Sequence, residues 1–348
     1  MCYDGKNAKG DQKMKACFAT NGGQSAIDFL CAGGRKEQFA RKLDLLPGVV
    51  TQDTLAQRRE ELADVEVLIS TWGMLPLTEE EIGEYFPALR LILYGAASVQ
   101  YFGKPYLRRG IRITTAAMAM AEFVAQFTFA QIVQANKGYY HSIRMYREKG
   151  YEAGHLHATR ACPGTYDTTV GIIGAGAIGT LVIEYLKKTH CEVLVFDPFL
   201  PDERAAALGV EKVSLEELFS RSHTISNHLA NNAQTVGMLN YDLFRRMKPD
   251  AAFINTGRGA QVVEADLARA MREEPMRCAL LDVTDPEPCP PEHEFWQLPN
   301  VILTPHIAGS AVQEMWGFAD QMLEELERYQ ASEALKYEVT LDMLATRA

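Results

Sequence analysis

The sequence predicts an α/β protein made of two doubly wound parallel sheets, and three observations predict it. Short apolar runs alternate with amphipathic helical stretches from Met14 onward, the pattern of strands joined by crossover helices. A second alternation of the same kind begins near Val170. At its head an apolar run passes directly into Gly174-Ala175-Gly176-Ala177-Ile178-Gly179, which reads as a strand, a tight turn and a helix. With 348 residues the chain is long enough for two units, each with its own core.

In chain order, residues 1–13 are polar and charged without an apolar segment, and are expected to be a disordered leader rather than a signal peptide. Stretches 16–20, 65–70, 89–93 and 111–113 read as strands. Between them, 25–43 is broken by Gly33-Gly34, with 37–43 helical, and helices are expected at 54–63 and 78–85. The last of these opens on Thr78 with Glu81 three residues on, a capping-box spacing. The first unit is thus expected at 14–118, with no phosphate-binding glycine signature. A long apolar helix follows near 118–137, but Glu122, Gln126, Gln131 and Gln134 interrupt it, so it reads as buried rather than membrane-spanning. Residues 138–167 carry little periodicity and read as a helix end and surface excursion. The second unit is expected at 119–309, with strands at 224–228, 251–255, 278–283 and 301–304 after the glycine turn, and helices near 241–247 and 264–272. The tail, 310–348, is helical in period and is expected to complete the first unit.

Composition narrows the function. The chain is 47% hydrophobic and 23% charged with a net charge of −10, so no basic surface suggests nucleic acid and no membrane partner is expected. Its cysteines are odd in number and scattered without a Cys-x-x-Cys pair, which points to reduced thiols in a cytoplasmic protein. His155 and His157 with Cys162 lack a fourth ligand at usual spacing, so no metal site is expected.

The glycine turn carries the first chemical reading. Gly174 allows the backbone bend, Gly176 lets a pyrophosphate approach the main chain, and Gly179 lets the helix pack close to the strand. The amides of Ala177 and Ile178 then face the phosphates at the positive end of the helix dipole. Asp197 ends the next apolar run, where an acid accepts hydrogen bonds from adenine ribose hydroxyls and repels a 2′-phosphate. The cofactor expected from these residues is NAD.

Three later motifs sit where strands end, the edge at which open parallel sheets bind ligands. Asn255-Thr256-Gly257-Arg258-Gly259 offers a glycine-flanked guanidinium, suited to a carboxylate, though a loop arginine reads the same way in isolation. Asp282-Val283-Thr284-Asp285-Pro286-Glu287-Pro288 holds Glu287 between two prolines; alone, Glu287 is an ordinary loop acid and Asp282 a turn cap. Thr304-Pro305-His306-Ile307-Ala308-Gly309 brings out His306, either a proton carrier near neutral pH or a packed imidazole.

Order and spacing together shift the weight among these alternatives. With Gly-Ala-Gly-Ala-Ile-Gly and Asp197, Asn-Thr-Gly-Arg-Gly-Ala, Leu-Asp-Val-x-x-x-Glu-Pro and Thr-Pro-His-Ile-Ala-Gly, the chain resembles the D-isomer-specific 2-hydroxyacid dehydrogenases, densely over 170–309 and more loosely over 14–115. The resemblance implies a Rossmann dinucleotide-binding domain with a flavodoxin-like substrate domain, an active site in the cleft between them, and a homodimer. It implies hydride transfer between NADH and a small 2-oxo acid, giving a D-2-hydroxy acid. Arg258 matches the carboxylate-binding arginine, His306 the acid/base histidine and Glu287 its partner. His228, Thr256 and Asp282 are expected on the cofactor side, Asp282 at the nicotinamide carboxamide.

Departures fall on the substrate side. Tyr94-Gly95-Ala96-Ala97 stands where the family usually has Gly-Val-Gly, and Thr71-Trp72-Gly73-Met74 where loop amides approach the substrate; Trp72, Gly73, Gly95 and Ala96 are the expected substrate residues, with Trp72 a lid or core. Asn227-His228-Leu229-Ala230 replaces Leu-His-x-Pro, keeping His228 in register. Residues 70–80 contain no Lys or Arg, which favours a glyoxylate or hydroxypyruvate reductase over an enzyme for a phosphorylated acid. The alternative from another class is an NAD(H)-binding regulator of the same fold, acting as a corepressor.

Overall fold

The computed structural model describes residues 13–345, so most of the expected leader and the last residues of the tail lie outside the described part. The chain divides into two compact units. One runs to Met120 and takes up the chain again at Val312–Ala345; the other is Ala121–Ala311.

In the first unit, β1 (Lys15–Ala19), β2 (Asp44–Val50), β3 (Val67–Ser70), β4 (Leu91–Tyr94), β5 (Arg112–Thr115) and β13 (Glu338–Val339) form one sheet in the order β13-β5-β4-β3-β1-β2. All neighbours are parallel except β13, which pairs antiparallel with β5. The order 2-1-3-4-5 of the parallel strands is that of a flavodoxin-like sheet. The sequence does not announce β2, because Pro47 and Gly48 interrupt it. An edge strand tolerates them, and its register against β1 shifts between Ala16 and Phe18 to take up the irregularity. β13 is equally silent in the sequence, a short pair joined to the sheet only after the helix Val312–Gln330 has turned back. That helix buries Met315, Phe318, Ala319, Met322, Leu323 and Leu326 on one face, the period read from the sequence.

The expected helix at 54–63 is mostly two 3-10 turns, Gln52–Thr54 and Ala56–Arg58, with only Arg59–Leu62 α-helical. The Thr78 box forms as spaced: Thr78 N–H donates to Glu81 Oε2 at 2.8 Å and Glu81 N–H to Thr78 Oγ1 at 3.2 Å.

The second unit holds β6 (Tyr166–Ile173), β7 (His190–Phe196), β8 (Glu211–Lys212), β9 (Thr224–Asn227), β10 (Ala252–Asn255), β11 (Cys278–Leu281) and β12 (Val301–Leu303). They run parallel in the order β12-β11-β10-β9-β6-β7-β8. The chain winds outward from β6 in one direction and from β9 in the other, so the switch point lies between them. The sheet is packed between two cores: Leu218, Phe219, Phe244, Phe253 and Leu267 on one face, and Ile132, Ile172, Val182, Ile183 and Ile254 on the other. The stretch read as a surface excursion forms two packed helices, Tyr139–Lys149 and Tyr151–Arg160. Gly138 and Gly150, both at positive φ, set their ends. Its aromatic and histidine content hides the helical period, so the sequence understates the order there.

Candidate active site

The register of the second sheet assembles the site. Phe196 of β7 lies beside Ile173 of β6, and Ile173 beside Asn227 of β9. Asn227 lies beside Asn255 of β10, Asn255 beside Leu281 of β11, and Leu281 beside Leu303 of β12. The residues one step beyond this common row are Asp197, Gly174, His228, Thr256, Asp282 and Thr304. Motifs separated by more than a hundred positions therefore leave the sheet along one edge.

The glycine turn is built as its residue types require. Gly174 has φ of +89°, and a Cβ there would lie 2.8 Å from the His228 carbonyl oxygen. At Gly179 a Cβ would come within 2.0 Å of the Gly174 carbonyl oxygen, so the helix Ala177–Leu186 can pack on the turn only without a side chain. Gly176 differs: nothing lies within 4 Å of its Cβ position, and it begins the helix without a side-chain cap. Gly176 and Ala177 are exposed and Ile178 half-buried. An open glycine at an uncapped helix start is a cradle for a diphosphate. Half-buried Asp197 accepts the Ala175 amide on Oδ2 and the Phe199 amide on Oδ1, each at 2.8 Å. These bonds aim its carboxylate and leave a lone pair on each oxygen for ribose hydroxyls. The residues present fit a dinucleotide.

His228 and Thr256 are more deeply engaged than the sequence suggests. Burial pushes the His228 imidazole down to about 3, so it is neutral at physiological pH. Its Nε2 lies 3.0 Å from Ser226 Oγ, while Nδ1 is buried without a partner. The Thr256 hydroxyl lies 3.1 Å from that of Thr128 on the helix Ala117–Asn136, which turns this side chain into packing.

His306 and Glu287 lie together, the pairing that the resemblance implies. His306 Nδ1 and Glu287 Oε1 are 2.6 Å apart, with both side chains partly exposed. His306 adopts a φ of +53°, and its amide donates to the Asp282 carbonyl at 3.0 Å. Asp282, 2% exposed, takes a role the resemblance did not imply. Its Oδ1 accepts the Thr304 hydroxyl at 2.5 Å and the Ile307 amide at 2.9 Å, and its Oδ2 the Ala308 amide at 2.9 Å. Asp282 thus holds the turn that presents His306, the cap reading left open by the sequence, and it does so with both oxygens.

The Arg258 loop lies against the loop carrying Glu287. A Cβ on Gly259 would fall 2.1 Å from the Thr284 carbonyl carbon, so the two chains touch backbone to backbone. Arg258 is half-buried, and its Nη1 donates to the Gly257 carbonyl at 2.7 Å. Within the Glu287 loop, the Asp285 amide donates to Glu264 at 2.9 Å, and Glu264 lies 3.2 Å from His293 Nε2. Neither Glu264 nor His293 is marked by any motif; only the shared fold brings them together.

The expected substrate residues of the first unit divide. Trp72 is 45% exposed, its ring 6.2 Å edge-on from Phe318, and Gly73 has φ of +82°. Gly95 and Ala96 face inward, and here the structure corrects the sequence. A Cβ on Gly95 would lie 2.8 Å from Met322 Sδ, and Ala96 is fully buried in the core. What this loop presents outward is half-buried Ala97 and Ser98, and half-exposed Tyr101.

Among the described residues no cluster of three or more His, Cys, Asp or Glu could hold a metal ion, and no helix is long and apolar enough to cross a membrane. His157 Nε2 and Cys162 Sγ lie 3.6 Å apart as a pair.

Comparison with known proteins places this geometry. Residues 129–308 match the family model for the "D-isomer specific 2-hydroxyacid dehydrogenase, NAD binding domain". A glyoxylate reductase from Korarchaeum cryptofilum is 30% identical over 275 residues, 79% of this chain and 82% of that protein. A D-3-phosphoglycerate dehydrogenase from Mycobacterium bovis is 28% identical over 77% of this chain, but the match spans only 47% of that longer protein. Among solved structures, the apo D-mandelate dehydrogenase of Rhodotorula graminis shares the fold with a TM-score of 0.79 and 21% identity, over 94% of this chain and 98% of that one.

Proposed function

The chain belongs to the D-isomer-specific 2-hydroxyacid dehydrogenase family, with NAD as the cofactor of its Rossmann domain, and from that premise we propose that it reduces a small 2-oxo acid to the D-2-hydroxy acid. The observation that carries the proposal is the 2.6 Å His306–Glu287 pair, on the sheet edge that also bears the glycine turn.

NADH, when bound, supplies the hydride. Arg258 holds the carboxylate of the 2-oxo acid through charge-assisted hydrogen bonds, which a planar fork makes in pairs. Negative charge develops on the carbonyl oxygen during reduction, and His306, protonated, meets it with Nε2 and gives up the proton there. Glu287 engages Nδ1, so it fixes the ring with Nε2 outward and balances the imidazolium charge. Asp282 acts behind them by holding the His306 turn. Asp197 engages the adenine ribose and disfavours a 2′-phosphate. Trp72 and Gly73 form part of the substrate side, and the chain acts as a homodimer.

Glyoxylate or hydroxypyruvate is the preferred substrate class, since the Trp72 loop offers no cation for a phosphate. The test is a panel of 2-oxo acids with NADH, followed by nicotinamide absorbance. Turnover on unphosphorylated acids is the expected result. Tight NADH binding with no turnover on any acid would instead favour the corepressor-like regulator.

A further inference from the structure

Beneath Arg258 lie three side-chain amides to which the motifs assign no role: Asn227, Asn255 and Gln261, exposed by 0%, 1% and 0%. Asn227 Nδ2 donates to Asn255 Oδ1 at 3.0 Å and to Gln261 Oε1 at 2.7 Å. Every other bond of the group ends on backbone. Asn255 Oδ1 also accepts the Gly257 amide at 3.0 Å, and its Nδ2 donates to the Arg258 carbonyl at 3.1 Å. Gln261 Oε1 also accepts the Arg258 amide at 3.1 Å, and its Nε2 donates to the Leu229 carbonyl at 2.8 Å. Asn227 Oδ1 accepts the Leu229 amide at 3.3 Å.

Burying three carboxamides is unfavourable unless each is paired, and here none is left with an unpartnered atom. Apolar side chains would fill the same space without that requirement. What the amides add is direction: a satisfied polar network admits one arrangement, whereas an apolar cluster admits several. Both polar groups of the Arg258 peptide are fixed by it. Gly257 supplies the space, since a Cβ there would lie 2.8 Å from Gln261 Oε1.

We infer that Asn227, Asn255 and Gln261 are a positioning set that clamps the Arg258 peptide and ties it to the loop after β9, so that the guanidinium is presented in one direction. The inference rests on the role proposed for Arg258. The set touches no reacting atom; it acts through the loop.

Gln261→Met keeps the volume and removes both accepted bonds. With glyoxylate and pyruvate as probes, KM for the acid is expected to rise roughly tenfold, with kcat and the Kd for NADH moving far less, as for a binding group displaced from its place. In an Arg258→Gln background, Gln261→Met should add nothing further to KM. Full additivity there, or a parallel fall of every constant with Tm, would overturn the inference. Amide hydrogen exchange needs no turnover: the Arg258 amide should be protected in the parent protein and exposed in Gln261→Met, and equal protection would equally refute the clamp. Should Arg258→Gln itself leave kcat/KM unchanged, or the probes give no turnover while exchange responds as expected, the clamp stands and the proposed function is what fails.

Discussion

At the carboxyl ends of its strands the second unit places Asp197, Gly174, His228, Thr256, Asp282 and Thr304, while the first unit places Thr51, Thr20, Thr71, Gly95 and Ala116. Both sheets are doubly wound, and both offer an edge of the kind at which ligands bind. In the first unit Thr20, Thr71 and Ala116 are at most 2% exposed, and Gly95 is pressed on Leu30 and Met322. In the second, the same positions carry two carboxylates and an imidazole, and the loops beyond add Arg258, Glu287 and His306. Winding supplies a location, and the residues just past each strand decide whether chemistry occupies it.

The comparison can be broken most directly at His306. His306→Gln keeps a hydrogen-bonding side chain but removes the proton, and turnover followed by nicotinamide absorbance is expected to fall by about a thousandfold. NADH affinity, read by fluorescence titration, should stay nearly unchanged; substantial residual activity would remove His306 from the acid role.

A second measurement concerns how the second unit holds its histidines. Burial lowers His228 to about 3 and His141 to about 4, both from 6.5. The unfolded chain therefore binds protons that the folded chain refuses. Their stabilising contribution is complete above pH 6.5 and is lost as pH falls from there toward 3 to 4. Each histidine should give a slope of about 1.4 kcal/mol per pH unit within that window. Urea denaturation from pH 7 to 4.5 should show this slope, and His228→Asn should flatten it; an unaltered slope would show that His228 is not held neutral.

Gly95→Ala sharpens the contrast from the other side. If that edge is packing, the added methyl should destabilise the protein by about 1–3 kcal/mol through overpacking against Leu30 and Met322. The Kd for NADH should not move, and a changed Kd without loss of stability would contradict the packing assignment. The smallest effect is expected at Asp197→Ala, which should weaken NADH about tenfold and NADPH less. Equal losses for the two nucleotides would argue against the ribose contact.

Much of this was legible in the residues because it is written locally. A glycine that must take φ of +89° and a capping box spanning the four residues Thr78 to Glu81 state their own requirements. That is why the strand ends of the second sheet and the glycine turn were readable in the residues, whereas the Glu287–His306 pairing came only from the family resemblance. Two kinds of feature were not. Irregular elements, such as β2 with its Pro47-Gly48 interruption and the aromatic-rich helices Tyr139–Lys149 and Tyr151–Arg160, lack a clean period. Partnerships set by strand register were hidden as well: Asp282 with the amides of Ile307 and Ala308, Glu264 with His293, and Asn227 with Asn255 and Gln261.

By itself, then, the sequence determined which residue types stand at the strand ends, the order in which they come, and the reaction class they suit. Tertiary structure alone decided what each of them faces. It turned Asp282 toward the His306 loop, Thr256 toward Thr128, and Gly95 and Ala96 into the core. The physical reason is that a backbone requirement is met within a few bonds, whereas a side chain's partner is chosen by which distant strand the sheet sets beside it.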